Sequence, residues 1–253
     1  MFLKMLATLA ILIAIIFSFG MGKTALKYYQ QATEIRLNPA NIDIYETTNN
    51  QLKSKKIDSE KKRIILFGDS RISMWKNLPD IPQIQLINRG IGGETTAQAL
   101  LRLEKDVISL SPDAVVIQIG INDLKAIGVL TNRKNGIYIA AQKNLNEIIL
   151  RISQQGAHVY LMTVFPTAEV NFIRSFVWSA DIDSAVNSFN QDIRKMNSNN
   201  LSVIDCDPIF NIDGKMNPNY SLDTLHLNKA GYNALSALLT KELNKLIAPN
   251  KEG

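Results

Sequence analysis

From residue 63 onward, short apolar runs alternate with longer segments in which apolar residues recur at helical spacing. The runs at residues 64–67, 84–87, 114–119, 158–162 and 201–204 are too short for buried helices and read as strands covered on both faces. Between them, residues 70–75, 95–110, 137–152, 182–196 and 229–246 read as helices. The second of these places Ala99, Leu100, Leu103, Val107 and Leu110 on one face, and Pro112 stops it. Residues 164–177 follow neither period and mix aromatic with polar side chains, as expected of a loop over a cleft. Strands alternating with helices predict an α/β sandwich around a central five-stranded parallel sheet. Right-handed crossovers would gather the C-terminal ends of the strands along one edge.

The N-terminus breaks this pattern. Residues 5–20 carry no charge, and the apolar run continues to Gly22 before Lys23. As a helix such a run rises roughly 27 Å, close to the thickness of bilayer hydrocarbon. Residues 1–22 are therefore expected to be a signal anchor or a signal peptide. Phe17, Phe19 and Met21 spoil a small-residue cleavage site and favour the uncleaved anchor. The expected location is the bacterial cell envelope, membrane-anchored through this segment with the domain periplasmic or extracellular, or secreted if the segment is cleaved. Residues 23–62 turn polar and read as a stem, which leaves residues 63–250 as one α/β domain.

Composition narrows the chemistry. The chain has 253 residues, 46% of them apolar, enough for a core that needs no covalent staples. Its single cysteine, Cys206, ends an apolar run and reads as a buried filler. The formal charge of +5 includes a cluster at Lys53, Lys55, Lys56, Lys61, Lys62 and Arg63, read as a solvated linker rather than a nucleic-acid surface. With two histidines, one cysteine and no HExxH or CxxC spacing, neither a metal nor any other cofactor is expected.

Four short segments at the ends of the expected strands carry the candidate chemistry. Ser70, in Gly68-Asp69-Ser70, would project its hydroxyl over the sheet edge with its own N–H at a helix N-terminus, although Asp69 and Ser70 also suit plain helix capping. In Asp223-Thr-Leu-His226 the spacing lets a turn set the carboxylate against one ring nitrogen while the other faces Ser70. His158 falls at a strand start on the opposite edge and reads as structural. Gly93, in Gly90-Ile-Gly-Gly93, allows close backbone approach, and Asn122, in Gly120-Ile-Asn122-Asp123, offers a neutral amide donor. Together with the Ser70 N–H they would form an oxyanion hole. The glycine run lacks the GxGxxG spacing of a dinucleotide loop, which argues against phosphate binding.

Taken together, the four segments resemble the blocks of the SGNH or GDSL-type esterase/lipase family over residues 63–246. The Gly-Ile-Gly-Gly-Glu-Thr-Thr stretch is also similar to that of platelet-activating-factor acetylhydrolase catalytic subunits and related bacterial esterases. The resemblance implies a flavodoxin-like three-layer α/β/α fold, with Ser70 as nucleophile, His226 as base and Asp223 as its orienting acid. It places Ser70, Gly93 and Asn122 in the oxyanion hole. The implied reaction is cleavage of a carboxylic ester, a small acyl or acetyl ester of a lipid or carbohydrate, through an acyl-enzyme. Acyl transfer, lysophospholipase or thioesterase action, and an envelope-anchored binding module are the alternatives. Candidates for substrate contact are Asp69, Phe172, Arg174, Phe176 and Trp178, although the resemblance makes Asp69 structural. Expected partners are a small-molecule, lipid or glycan ester and a membrane, with no nucleic acid. Oligomeric state is not legible in the sequence.

Overall fold

Alternate side chains of a strand point to opposite faces, so a strand with no polar position must be covered on both sides. The computed structural model, which describes residues 2–54 and 60–247 with side chains from residue 17 onward, has this arrangement. Five strands, β1 (Lys62–Gly68), β2 (Ile84–Gly90), β3 (Ala114–Gln118), β4 (His158–Met162) and β5 (Leu201–Ile204), form one sheet in the order β2-β1-β3-β4-β5. Every pairing is parallel, with Ile64 opposite both Leu86 and Ala114, and Val159 opposite Leu201.

On one face, Ile65, Phe67, Val115, Ile117, Val159 and Leu161 share a core with three helices. Ala99 and Leu103 come from α4 (Thr96–Asp106), Leu145 and Ile148 from α6 (Lys134–Gln154), and Val186 and Phe189 from α8 (Ala180–Lys195). On the other face, Ile64, Leu66, Val116, Tyr160 and Met162 pack against Ile72, Trp75 and the Leu235, Leu239 and Leu243 stripe of α10 (Lys229–Ile247). The result is the three-layer α/β fold with a central five-stranded parallel sheet that the apolar pattern predicts.

Two expected helices are shorter than their periodicity suggests. The helix expected at residues 95–110 ends at Asp106, and a 3₁₀ turn, Ile108–Leu110, carries the chain toward β3. After β1 there is a single turn, α3 (Ser70–Ser73). Arg63, expected in a solvated linker, is instead buried, its Nη1 donating to the Leu110 carbonyl at 2.6 Å. Cys206 is fully buried, as expected. Lys55 and Lys56 of the basic cluster lie outside the described residues.

The chain divides into two compact units, residues 1–43 and 44–253. In the first, α1 (Phe2–Leu37) runs without a break from the apolar segment into the polar one. Here the anchor expectation is corrected: among the described residues no helix is long and apolar enough to cross a membrane. From Phe17 onward α1 carries Lys23, Lys27, Glu34 and Arg36, too many charges for a bilayer-spanning stretch. The side chains of residues 1–16, where the apolar run is concentrated, lie outside the described ones. The expected membrane partner and the membrane-anchored location, both of which rested on that run, fall with it. In the second unit, part of the expected stem forms α2 (Glu46–Ser54), whose Asn49 is buried.

The topology locates a crevice. From β1 the chain steps outward to β2, then returns across β1 to β3, so the winding direction reverses between β1 and β3. In open α/β sheets ligands bind at that switch, beyond the C-terminal strand ends. Gly68, the last residue of β1, lies opposite Gln118, the last of β3. A Cβ at residue 68 would come within 1.9 Å of the Gln118 carbonyl oxygen, which only glycine avoids. Gly68→Ala is therefore expected to destabilise the fold by about 3 kcal/mol or more, read as a lowered urea midpoint at unchanged slope.

Candidate active site

Asp69 follows Gly68 with extended backbone and caps α3, its Oδ1 accepting from the Arg71 amide at 2.9 Å. That cap fixes Ser70 as the first residue of the turn. Its hydroxyl lies 3.0 Å from Nε2 of His226. The ring's other nitrogen, Nδ1, meets Asp223 Oδ2 at 2.8 Å and Oδ1 at 3.0 Å. Asp223 Oδ1 also accepts the backbone amides of Leu225 at 2.7 Å and His226 at 3.0 Å. Partial burial would raise the Asp223 pKa, but the bonds from the His226 ring and these two amides outweigh it and hold the carboxyl below its ordinary range. The serine, imidazole and carboxylate thus form one continuous hydrogen-bonded line, from residues more than 150 positions apart in the chain.

Two buried guanidinium groups that sequence reasoning did not single out hold this line and the neighbouring glycine loop in place. Arg71 is fully buried beside Ser70. Its Nε donates to the Leu225 carbonyl at 2.9 Å and its Nη2 to the Phe165 carbonyl at 3.1 Å. Leu225 lies between Asp223 and His226, so Arg71 fastens the histidine loop to the serine turn. From the other side, the Ala168 amide donates to the Thr224 carbonyl at 2.9 Å.

Arg102, also fully buried, pairs with Glu94 through both nitrogens of one edge, Nε and Nη2, and with Asp106 at 3.2 Å. Its Nη2 also reaches the Arg89 carbonyl at 2.8 Å. Asn49 extends the network, donating to Asp106 at 2.7 Å and accepting from Arg89 Nε at 2.9 Å. Tyr45 lies over the Arg89 guanidinium and donates its hydroxyl to the Gly90 carbonyl at 2.6 Å. The Arg102-x-x-x-Asp106 spacing on a helix was the one sequence signal of this network.

The network underlies the loop that carries Gly93, whose φ of 76° lies in the left-handed region that favours glycine. Asn122, in the turn α5 (Ile121–Leu124), is buried, and its amide nitrogen donates to the Glu94 carbonyl at 2.9 Å. Asp123 accepts from the amide and hydroxyl of Thr96 at 2.9 and 2.7 Å, so the two glycine-bearing loops are tied together.

The substrate-contact candidates separate. Asp69 is fully buried, and desolvation raises its pKa to about 6 against the pull of Arg71. Phe172 and Phe176 are 78% and 75% exposed and pack edge to face on each other, around the single turn α7 (Phe172–Ser175). Trp178 is half-buried against the core, with the Arg174 guanidinium 5.7 Å above its ring. A cleft of about 950 Å³ is lined by Ala168, Ile173, Arg174, Leu222 and Asp223, among others. His158 lies at the opposite sheet edge, where its Nε2 meets Ser202 at 2.9 Å. Among the described residues no group of His, Cys, Asp or Glu is arranged to hold a metal ion.

The model of the GDSL-like Lipase/Acylhydrolase family matches residues 67–234. A lipoprotein of Bacillus subtilis is 32% identical over 126 residues, which cover 43% of this chain and 50% of that protein. An acetylxylan esterase of Geobacillus stearothermophilus is 32% identical over 84 residues, 32% of this chain and 38% of that protein. The chain thus spans half or less of the curated relatives it matches. Among solved structures, a GDSL-like lipase from Bacteroides thetaiotaomicron superposes with a TM-score of 0.64 at 26% identity, covering 82% of this chain and 98% of that one.

Two tests follow from the buried charges. Arg71→Met strands the Leu225 and Phe165 carbonyls, so it should cost about 3 kcal/mol of stability and slow fluorophosphonate labelling of Ser70 more than tenfold. Arg71→Lys, able to reach one carbonyl, should recover part of both. Burial raises Glu94 from 4.5 to about 7, against the opposing pull of Arg102. The folded chain therefore holds that proton more tightly than the unfolded chain. Stability should fall as pH rises from about 4.5 to 7 and then level off, with Asp69 adding the same trend between 3.8 and about 6. Asp223 has the opposite sign, and its contribution is lost only as pH falls below the ordinary carboxylate range. Urea midpoints across this range should show the decline, and Glu94→Gln should flatten its upper part.

Proposed function

The chain belongs to the GDSL-like lipase/acylhydrolase family, and on that premise we propose that it hydrolyses carboxylic esters through an acyl-enzyme on Ser70. The observation that carries this reading is the unbroken line from Asp223 through His226 to Ser70, with contacts of 2.8 and 3.0 Å. Ser70 Oγ attacks the ester carbonyl carbon as its proton passes to His226 Nε2. Asp223, ionised at neutral pH, keeps the other ring proton on Nδ1 and stabilises the imidazolium. Collapse of the tetrahedral intermediate breaks the bond to the alcohol oxygen, which takes the proton from Nε2. Water, deprotonated by the same nitrogen, then attacks the acyl-serine, and the acid leaves as Ser70 regains its proton.

The negative oxygen of each tetrahedral intermediate is held by the Ser70 N–H, the Gly93 N–H and the Asn122 amide. An amide nitrogen carries two protons, and the bond to the Glu94 carbonyl uses only one. That bond also fixes the amide plane before charge develops, the condition under which such donors act on the transition state. No metal or organic cofactor is required by this chemistry.

The substrate is a small acyl or acetyl ester of a lipid or carbohydrate alcohol, whose bulk lies in the cleft along residues 166–178. The Geobacillus relative named an acetylxylan esterase supports the short acyl group and the carbohydrate alcohol. Exposed Phe172 and Ile173 at the rim of the cleft suit an apolar or sugar face.

Ser70→Ala should abolish turnover of short-chain p-nitrophenyl esters, and unchanged turnover would remove Ser70 as nucleophile. Asn122→Ala should lower kcat about a hundredfold, equivalent to about 3 kcal/mol of transition-state stabilisation, with KM little changed.

A further inference from the structure

Beside the cleft, a smaller cavity of about 360 Å³ lies between the turn that follows Asn122 and the histidine loop. Lys125 and Arg174 line it with Val129, Val177, Trp178 and Leu225. Leu225 is the residue just before His226, and Lys125 lies three residues after Asn122, so segments that carry both halves of the reacting site line this cavity. Its lining contains two cations and no carboxylate.

Both cations are half-buried, and among the described residues neither side chain has an acidic partner within ion-pair distance. Comparable half-exposed cations elsewhere in this domain do have one. Lys134 pairs with Asp181 at 2.6 Å, Lys215 with Asp183 at 2.7 Å, and Arg194 with Asp205 at 2.9 Å. Burial lowers the Lys125 pKa, and the charges of Arg174 and Arg71 lower it further. Asp69, buried beneath the serine turn, opposes this, but it is not exposed to the cavity. The Trp178 ring under the Arg174 guanidinium holds that group without neutralising it. Holding two unpaired cations around a partly desolvated cavity is unfavourable unless an anion enters it.

We propose that Lys125 and Arg174 form an anion subsite, and that the preferred substrate is an ester bearing a phosphate or carboxylate close to its scissile bond. The inference rests on the hydrolase reading above and adds the substrate's charge to it. Arg174 also lines the larger cleft, where Glu169 and Asp223 contribute negative charge. The anion therefore lies on the smaller-cavity side of Arg174, and the uncharged part of the substrate on the other. A carboxylate would arrive on the acyl part and a phosphate on the alcohol part.

The test uses the full chain and two matched pairs of esters. Mono-4-nitrophenyl succinate against 4-nitrophenyl butyrate places a carboxylate on the acyl group. 1-Butyrylglycerol 3-phosphate against 1-butyrylglycerol places a phosphate on the alcohol. The anionic member of at least one pair should have the higher kcat/KM, and the pair that shows it identifies the source of the anion. In the Lys125→Met, Arg174→Met double variant that preference ratio should fall at least tenfold. A ratio near one in the native chain for both pairs, or a ratio unchanged in the variant, overturns the subsite while leaving Ser70-dependent hydrolysis standing. The same four ligands are titrated calorimetrically into the Ser70→Ala chain, so the subsite is judged even if no ester is turned over. Tighter binding of an anionic ligand, weakened at least tenfold by the double substitution, sustains it. Equal binding of charged and neutral ligands refutes it.

Discussion

The arrangement of the site depends on one buried guanidinium. Ser70 and His226 are brought together across most of the domain, and closing so long a loop carries an entropic cost that local turns cannot offset. Arg71 supplies a tie at the point of closure, because it is next to Ser70 in sequence and donates to the carbonyl of Leu225, next to His226. Its second bond, to Phe165, brings in the segment that leads to the cleft. A lysine would offer a point charge in the same place, whereas the planar fork of arginine reaches two carbonyls on separate loops. Burial lowers even this guanidinium's pKa to about 10, which still leaves it charged at neutral pH. The serine–histidine distance is thus fixed by a group that takes no part in proton transfer.

Arg102 performs a parallel task for the loops that carry Gly93 and Asn122. A buried ion pair is a poor source of net stability, because removing both charges from water costs several kcal/mol per ion. Its geometric specificity is a different matter. Glu94 is gripped along one edge of the guanidinium while its own carbonyl accepts from Asn122, so the position of the amide is read directly from the position of the ion pair. Asn49 and Tyr45, from the segment before β1, complete the polar coordination around Arg89 and Asp106. The glycine loop and the Asn122 turn are therefore registered to one network. Hydrogen bonds between the loops alone would leave each free to shift with its own turn.

The central strands were legible in the sequence because parallel strands covered on both faces must be apolar at nearly every position, whereas the edge strands β2 and β5 carry Gln85 and Ser202. A surface loop or an amphipathic helix of the same length would carry polar residues within the run. The four site segments were legible for a related reason. Glycine, small turn residues and a single well-spaced acid and histidine at the ends of strands are constrained both by the backbone and by the chemistry. Arg71 and Glu94 escaped notice because a charged residue in sequence reads as exposed, and nothing local marks one that is enclosed by distant loops. Residues 45–54 were read as a polar stem for the same reason, since nothing local marks Tyr45 and Asn49 as partners of Arg89, or Asn49 as the buried partner of Asp106. The N-terminal run misled in the opposite direction. Its length and apolar composition read as a membrane span, whereas among the described residues no helix is long and apolar enough to be one.

These observations separate two kinds of residue. Ser70 and His226 are tied through Arg71, and the Gly93 loop and Asn122 through Glu94 and Arg102, so a shift in any of these turns breaks a bond to a buried arginine or its partner. Phe172, Arg174 and Phe176 lie on a single exposed helical turn held mainly by the Asn171 cap, and Leu222 stands 60% exposed across the cleft. Exposed turns with few buried contacts open at low free energy and tolerate substitution. Changes along residues 166–178 can therefore alter the shape and charge of the cleft while the line from Asp223 to Ser70 stays fixed. Lys125 belongs to neither group. It follows Asn122 on the rigid side yet faces the variable loop, so any charge that it recognises is placed relative to the reacting carbonyl by the sheet and not by the loop. That asymmetry would make Lys125 the anchor of the proposed anion subsite and Arg174 its adjustable half.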